Sequence, residues 1–236
     1  MNKSWIANGF TAANALFGGL SIMMSISGEY HVAAICILIA MAADAFDGRV
    51  ARALGTAGPM GVELDSLSDD ISFGVAAGAL MYSYQLRELG AFGFVPCALL
   101  GAFCAFRLAR FNVKVTSVHG YFEGLPCPTV GVIIACYVLS GVKIWNWLAM
   151  VCVLALAVLM VSEVHYPDNI GASADQLHLP AFLFCLGFFI LCTMIYWPSW
   201  AAALCAAYIM FGIVNTYLNR RKKLHRKLKR RVKEEF

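Results

Sequence analysis

Asp44-Ala45-Phe46-Asp47-Gly48-Arg49-Val50-Ala51-Arg52 is followed, after eight residues, by Gly61-Val62-Glu63-Leu64-Asp65-Ser66-Leu67-Ser68-Asp69, and this pattern places four aspartates within 26 residues. Asp44 and Asp47 are three apart and Asp65 and Asp69 four apart, so on helices each pair shares one face. The intervening Ala53-Leu54-Gly55-Thr56-Ala57-Gly58-Pro59-Met60 is turn-rich, and antiparallel neighbouring helices are expected on either side of it. The four carboxylates would then converge near one membrane surface.

The surroundings make that convergence unusual. The chain has 236 residues, 61% hydrophobic and 14% charged, with a mean hydropathy of +0.72. Soluble domains carry roughly a quarter charged residues, so a separate water-soluble catalytic domain is excluded and the chain belongs in a bilayer. Apolar segments run over 5–27, 31–54, 62–84, 90–112, 127–143, 145–163, 178–196 and 199–219, about eight spans. The first continues past the length of a signal-peptide core without a small-residue cleavage site, and a retained span is expected.

Ten of the 18 Lys/Arg lie in the last 17 residues, Arg220 to Phe236, immediately after an apolar segment. That placement suits a cytoplasmic tail drawn to anionic lipid rather than a nucleic-acid-binding arm. With a cytoplasmic N-terminus, Lys3, Arg49, Arg52, Arg107, Arg110, Lys114 and the tail cations all fall inside, leaving Arg87 and Lys143 outside. The nine cysteines are odd in number, lack CxxC spacing and sit in apolar runs, as small core residues do. The histidines have no paired spacing, and Trp145, Trp147, Trp197 and Trp200 near span ends suit an interfacial belt.

A carboxylate at mid-bilayer costs roughly 2.5–3.5 kcal/mol, and two at 4 Å repel by about 4 kcal/mol at an effective dielectric of 20. A cation between them is required, and oxygen-only ligands suit Mg²⁺, Mn²⁺ or Ca²⁺. Gly48, Ala51 and Gly61 leave room for a phosphate or nucleotide, or else let membrane helices pack, while Arg49 and Arg52 offer donors to phosphate. Thr11 and Asn14, on one face, hydrogen-bond a bound phosphate group or join helices. Arg107 and Arg110 bind a carboxylate or a phosphate group, or anchor the cytoplasmic side. Asp70 and Glu63 read as solvated at a helix end, without a role.

The eight fixed positions match, at full spacing, the signature D-x2-D-G-x2-A-R-x8-G-x3-D-x3-D, and the chain thereby resembles the CDP-alcohol phosphotransferases, integral membrane enzymes of phospholipid synthesis. The resemblance implies an all-α polytopic bundle: a six-helix dimeric core, 1–177, followed by about two additional spans, 178–219, and the basic tail, 220–236. It also implies Asp44, Asp47, Asp65 and Asp69 as ligands of one or two divalent ions, with Asp69 the general base. Gly48, Ala51, Arg52 and Gly61 would line the nucleotide pocket.

Ala7-Asn8 through Thr11 and Asn14, Ser72-Phe73-Gly74-Val75-Ala76, Arg107-Leu-Ala-Arg110-Phe111-Asn112, Phe122-Glu-Gly124-Leu125-Pro126-Cys-Pro128, Ser162 and Tyr166-Pro167 resemble the membrane-bound phosphatidylserine-forming branch of that family. Ala77, where Pro is expected, and Asp70, a fifth acid, depart from its pattern. The implied reaction is transfer of the phosphatidyl group from CDP-diacylglycerol to L-serine with release of CMP. The enzyme would sit in the cytoplasmic membrane, with active site and both termini facing the cytoplasm. Another acceptor, glycerol phosphate or inositol phosphate, is the nearest rival, and a cation or proton transporter the more remote one. A transporter predicts acids distributed along a path, whereas these are gathered at one face.

Overall fold

The computed structural model describes residues 4–55, 58–114, 121–162, 164–167, 185, 207, 209–214 and 217. The chain divides into two compact units, Met1–Ser117 with Leu125–Ser162, and Val118–Gly124 with Glu163–Phe236.

The first unit is built from six helical rods. Helix α1 (Ser4–Ile26) turns at Gly28, φ +84°, into α2 (Tyr30–Leu54), and the two pack along their lengths. Gly55 stops α2 in the left-handed region, φ +63°, its N–H bonded to the carbonyls of Ala51 and Arg52. Pro59, at the first position of α3 (Pro59–Asp69), restarts the helix where a missing N–H costs nothing. Helix α3 runs through one π-helical stretch, Asp70–Val75, into α4 (Ala76–Tyr84), forming a single rod. A 3₁₀ turn, Leu86–Leu89, leads to α5 (Ala91–Lys114), and α6 (Cys127–Leu139) and α7 (Asn146–Val161) complete the unit.

Asn8–Ile26, Tyr30–Leu54 and Ala91–Val113 are long and apolar enough to cross a membrane. Helices α6 and α7, of 13 and 16 residues, are shorter than the spans expected over 127–143 and 145–163. Gly141, φ +67°, takes the chain out of helical geometry, and Trp145 precedes the start of α7. One further expectation fails: α2 and α3 are not packed neighbours. Helix α1 packs against both, and α2 and α3 barely touch, so a gap remains between the helix ends that carry the aspartates.

Small side chains set the packing, since lipid offers no hydrophobic drive and close approach must supply the attraction. Ala33, Ala34, Ala40, Ala76, Ala77 and Ala135 are fully buried, and the helix runs unbroken through Ala77. Outward-facing Ile35, Ile39, Val95 and Val151 are exposed, as lipid-facing residues are.

At the end away from the aspartates, Gln85 and Tyr137 hydrogen-bond to each other, and Gln85 Nε2 also donates to Asn146 Oδ1 at 3.0 Å. Asn146 Nδ2 donates to Glu88 Oε2 at 2.7 Å, and the Ile144 N–H to the Tyr137 hydroxyl at 3.1 Å. Lys143 Nζ lies 4.7 Å from the Tyr84 ring centroid.

The second unit contains a two-stranded antiparallel ribbon, β1 (Tyr121–Glu123) with β2 (His165–Pro167), which pairs Phe122 with Tyr166. In the same unit Cys185 is buried in a cluster with Ala207 and Phe211. The two expected final spans fall largely outside the described residues, and the basic tail, Trp197 and Trp200 fall wholly outside them.

A methyl group added at Gly131 would lie 2.7 Å from Phe73 Cδ1 and 3.3 Å from its Cα, whereas one at Gly19 meets nothing within 4 Å. Gly131→Ala is therefore expected to destabilise the detergent-solubilised protein by about 1–3 kcal/mol. Gly19→Ala should leave the midpoint unchanged or raise it slightly. Thermal unfolding measured by a size-exclusion or tryptophan-fluorescence readout checks both.

Candidate active site

The last turns of α2 carry Asp44 and Asp47, and the middle of α3 carries Asp65. One carboxylate oxygen from each lies within 4.8 Å of the others. They meet across the gap between α2 and α3, so side chains rather than backbones bridge the two helices. Asp47 Oδ2 and Asp65 Oδ1 are buried without a hydrogen-bond partner. Orphaned anionic oxygens are costly in an apolar setting and require a positive charge.

Asp69 is not one of the three. It sits one turn deeper, 7% exposed, and its Oδ1 accepts a hydrogen bond of 3.0 Å from Asn14 Nδ2. The charges of Asp44 and Asp65 still act on it. Asn14 is fully buried, and its backbone carbonyl accepts from Ser72 Oγ at 2.9 Å. The Thr11 side chain, one turn earlier on the same face of α1, hydrogen-bonds Asp47. Thr11 and Asn14 thus support carboxylates belonging to two different helices, which is why α1 lies between those helices.

The glycines separate into two kinds. At Gly74 an added Cβ would lie 2.7 Å from Asp70 Oδ1 and 3.0 Å from Gly101 Cα, and at Gly18 it would overlap Ser72. Those positions serve packing. At Gly48 the nearest atom would be Arg52 Nη1 at 3.6 Å, and at Gly61 Asn8 Oδ1 at 3.9 Å, ordinary contacts with space beyond. Helix packing therefore does not demand glycine at Gly48 or Gly61, and both flank the carboxylate gap. Arg52 folds back over Gly48 with its guanidinium acting on Asp47, while Arg49 is exposed.

Arg107 and Arg110, alike in sequence spacing, differ in surroundings. Arg110 Nη1 donates to the Val161 carbonyl at 3.0 Å and Nη2 to the Ser162 carbonyl at 3.4 Å, covering the C-terminal end of α7. Arg107 is 6% exposed, its Nη1 donates to Cys127 Sγ at 3.6 Å, and its Nε has no partner. Asn112 Nδ2 donates to Ser66 Oγ at 3.0 Å, tying α5 to α3 beside Asp65. Asp70, expected to be solvated, is partly buried with Oδ1 out of contact with solvent, because the π stretch turns it toward α5.

The family description CDP-alcohol phosphatidyltransferase matches residues 4–160. The CDP-diacylglycerol–serine O-phosphatidyltransferase of Helicobacter pylori is 36% identical over 168 residues, covering 68% of this chain and 71% of the relative. The archaetidylserine synthase of Methanothermobacter thermautotrophicus is 40% identical over 169 residues, covering 68% and 69%. The Bacillus subtilis CDP-diacylglycerol–serine O-phosphatidyltransferase is 34% identical over 168 residues, covering 71% and 92%. The matched region takes in the six rods of the first unit to within the last residue of α7, together with the carboxylates and their supporting residues on α1. The chain is a multi-pass membrane enzyme and belongs to the CDP-alcohol phosphatidyltransferase family, a divalent-metal-dependent group of phosphotransferases.

Proposed function

We propose that the enzyme transfers the phosphatidyl group of CDP-diacylglycerol to the hydroxyl of L-serine, releasing CMP. The observation that carries this reading is the oxygen-only triplet Asp44, Asp47 and Asp65, set beside a separately held carboxylate, Asp69. The serine acceptor is supported by the names of the relatives.

The triplet fits a hard divalent cation: three carboxylates present oxygens at close quarters, and two of those oxygens are buried and unpaired. Asp44, Asp47 and Asp65 would hold the ion, with Asp69 at its edge. Once bound, it would neutralise charge on the diphosphate oxygens as the phosphoryl group moves. Mg²⁺ and Mn²⁺ are the proposed ions, with Ca²⁺ a possible occupant of the same oxygens.

The protein's own groups account for the remaining steps. Gly48, Ala51, Arg52 and Gly61 form the open rim that takes the CDP moiety, with Arg52 positioned by its fold over Gly48 to meet phosphate. Asn14 holds one oxygen of Asp69, fixing the carboxylate so that the other oxygen accepts the serine hydroxyl proton. The serine oxygen then bonds to the β-phosphorus of the CDP-lipid as the bond from that phosphorus to CMP breaks. Arg107, a buried cation with a free N–H, takes the serine carboxylate or the diphosphate, and Arg110 holds α7 in place beside it.

We place the site at the cytoplasmic face, where Arg49, Arg52, Arg107 and Arg110 gather at the helix ends around it. The tail would face the same side, and a homodimer is proposed from the family resemblance.

Purified enzyme given CDP-diacylglycerol and Mg²⁺ or Mn²⁺ should release CMP only when serine is added. EDTA should stop release and added metal restore it. CMP release driven instead by glycerol phosphate or inositol phosphate would sink the serine assignment. Asp69→Asn should lower kcat by about 10²–10⁴-fold while CDP-lipid binding survives, whereas Asp44→Asn should weaken metal-dependent CDP-lipid binding itself. Asn14→Ala, which frees Asp69 Oδ1, should reduce kcat about tenfold with little change in KM for the CDP-lipid, as expected for one lost hydrogen bond to a charged group. Steady-state kinetics in mixed micelles read all three.

A further inference from the structure

Serine hydroxyls in this bundle have two kinds of partner. Ser25 Oγ donates to the Ser21 carbonyl and Ser68 Oγ to the Leu64 carbonyl, both at 2.8 Å and both four residues back on the same helix, as serines inside helices commonly do. Ser72 differs. It is fully buried, and its Oγ donates at 2.9 Å to the carbonyl of Asn14 on another helix. Ser72 lies in the π stretch, where backbone bonds run five residues back and the local four-residue geometry is lost.

The two helices meet at this bond more closely than any side chain on α1 would allow. A Cβ added at Gly18 would stand 2.3 Å from Ser72 Oγ and 2.8 Å from Ser72 Cα, so α1 rests on the backbone of the π stretch. One turn away along α1, Asn14 meets the same rod a second time, its Nδ2 donating to Asp69 Oδ1 at 3.0 Å. Asn14 is thus held twice, main chain by Ser72 and side chain by Asp69, and all three residues are buried. A single hydrogen bond fixes a separation but lets its partners pivot. The second bond, together with the contact at Gly18, removes that freedom and fixes the direction from which Asn14 reaches the Asp69 carboxylate.

We propose that Ser72 is a positioning residue for the proton-transfer step: its hydroxyl, acting through Asn14, holds Asp69 in the orientation that takes the proton of the acceptor hydroxyl. The proposal rests on the reading of Asp69 as general base given above, and it holds for whichever alcohol is the acceptor. It also accounts for Gly18, since a side chain there would push Ser72 off the Asn14 carbonyl.

The Asn14 carbonyl keeps its own helical partner, the Gly18 N–H, when the Ser72 hydroxyl is removed, so Ser72→Ala leaves no buried group newly unpaired. The unfolding midpoint in detergent should therefore shift by no more than about 2 °C, the scale of one interhelical hydrogen bond in a membrane protein. Turnover should respond more strongly, with kcat about fivefold lower and the KM values for CDP-lipid and acceptor within about twofold of wild type. Because Ser72 acts through Asn14, the double variant Asn14→Ala/Ser72→Ala should be no slower than Asn14→Ala alone, whereas independent effects would multiply to about fiftyfold. Ser25→Ala, which removes a hydroxyl about three turns further along α1, should leave kcat unchanged. Steady-state kinetics of the full-length enzyme in mixed micelles, alongside thermal unfolding, read the whole set.

A double variant whose losses multiply, a wild-type kcat in Ser72→Ala, or a loss that falls on the KM values would each overturn the proposal. If Ser72→Ala does not fold, Ser72→Cys, which fills the space with a weaker donor, carries the same comparison with Asn14→Ala. Failure of the general-base reading shows separately, as an Asp69→Asn enzyme that turns over like wild type. A slow Asp69→Asn enzyme beside a Ser72→Ala enzyme of wild-type kcat would strike the positioning role alone.

Discussion

Carboxylates gathered in an apolar medium repel one another and lack water to screen them, and the arrangement of the first unit answers that constraint. Asp44, Asp47 and Asp65 meet in a gap that α2 and α3 leave open instead of closing by packing. Helix α1 keeps the gap from collapsing: it packs on both neighbours and supplies Thr11 to one and Asn14 to the other. Without that third helix, two helices bearing like charges would have no reason to stay together. The orphaned oxygens then define a place where a divalent cation gains more than it would in water.

The two ends of the bundle solve different problems. The end with Gln85, Tyr137 and Asn146 is a satisfied hydrogen-bond network, joining the 3₁₀ turn to the α6–α7 connection. Satisfied groups of this kind hold geometry and have nothing left for a ligand. The aspartate end is the reverse, with Asp47, Asp65 and Arg107 all retaining buried atoms that lack partners. Rigidity at one end permits incompleteness at the other, as a site built to receive a charged substrate requires.

Much of this was legible before any coordinates. The i, i+3 and i, i+4 spacing of the aspartates depends only on helix geometry, and the apolar segments that became the six rods depend only on bilayer thickness. What was not legible depends on tertiary contact. Arg107 and Arg110 have the same spacing and similar neighbours in sequence, yet one covers the end of α7 and the other is buried against a thiol. Gly48 and Gly74 look alike until the neighbouring helices are in place. Asp70 read as a solvated helix end because a π stretch leaves no trace in hydrophobic periodicity. Cys127 reads as core filler because its polarity appears only when the Arg107 guanidinium is placed against it.

The π stretch at Asp70–Val75 is in effect one residue more than an α-helical rod between the same two ends would need. Removing a residue there would let the backbone relax to regular α-helix at little local cost. Because the α-helical ends on either side keep the register they would have without the extra residue, α3 and α4, and with them Asp65 and Asp69, would stay where they are. What would turn is the stretch itself: Ser72, whose Oγ donates to the Asn14 carbonyl, and Gly74, which lies against α5, would shift around the rod. The extra residue thus serves the contacts behind the acids rather than the acids themselves. A relative that carries all eight signature positions but is one residue shorter there would keep its row of acids and meet α1 and α5 differently.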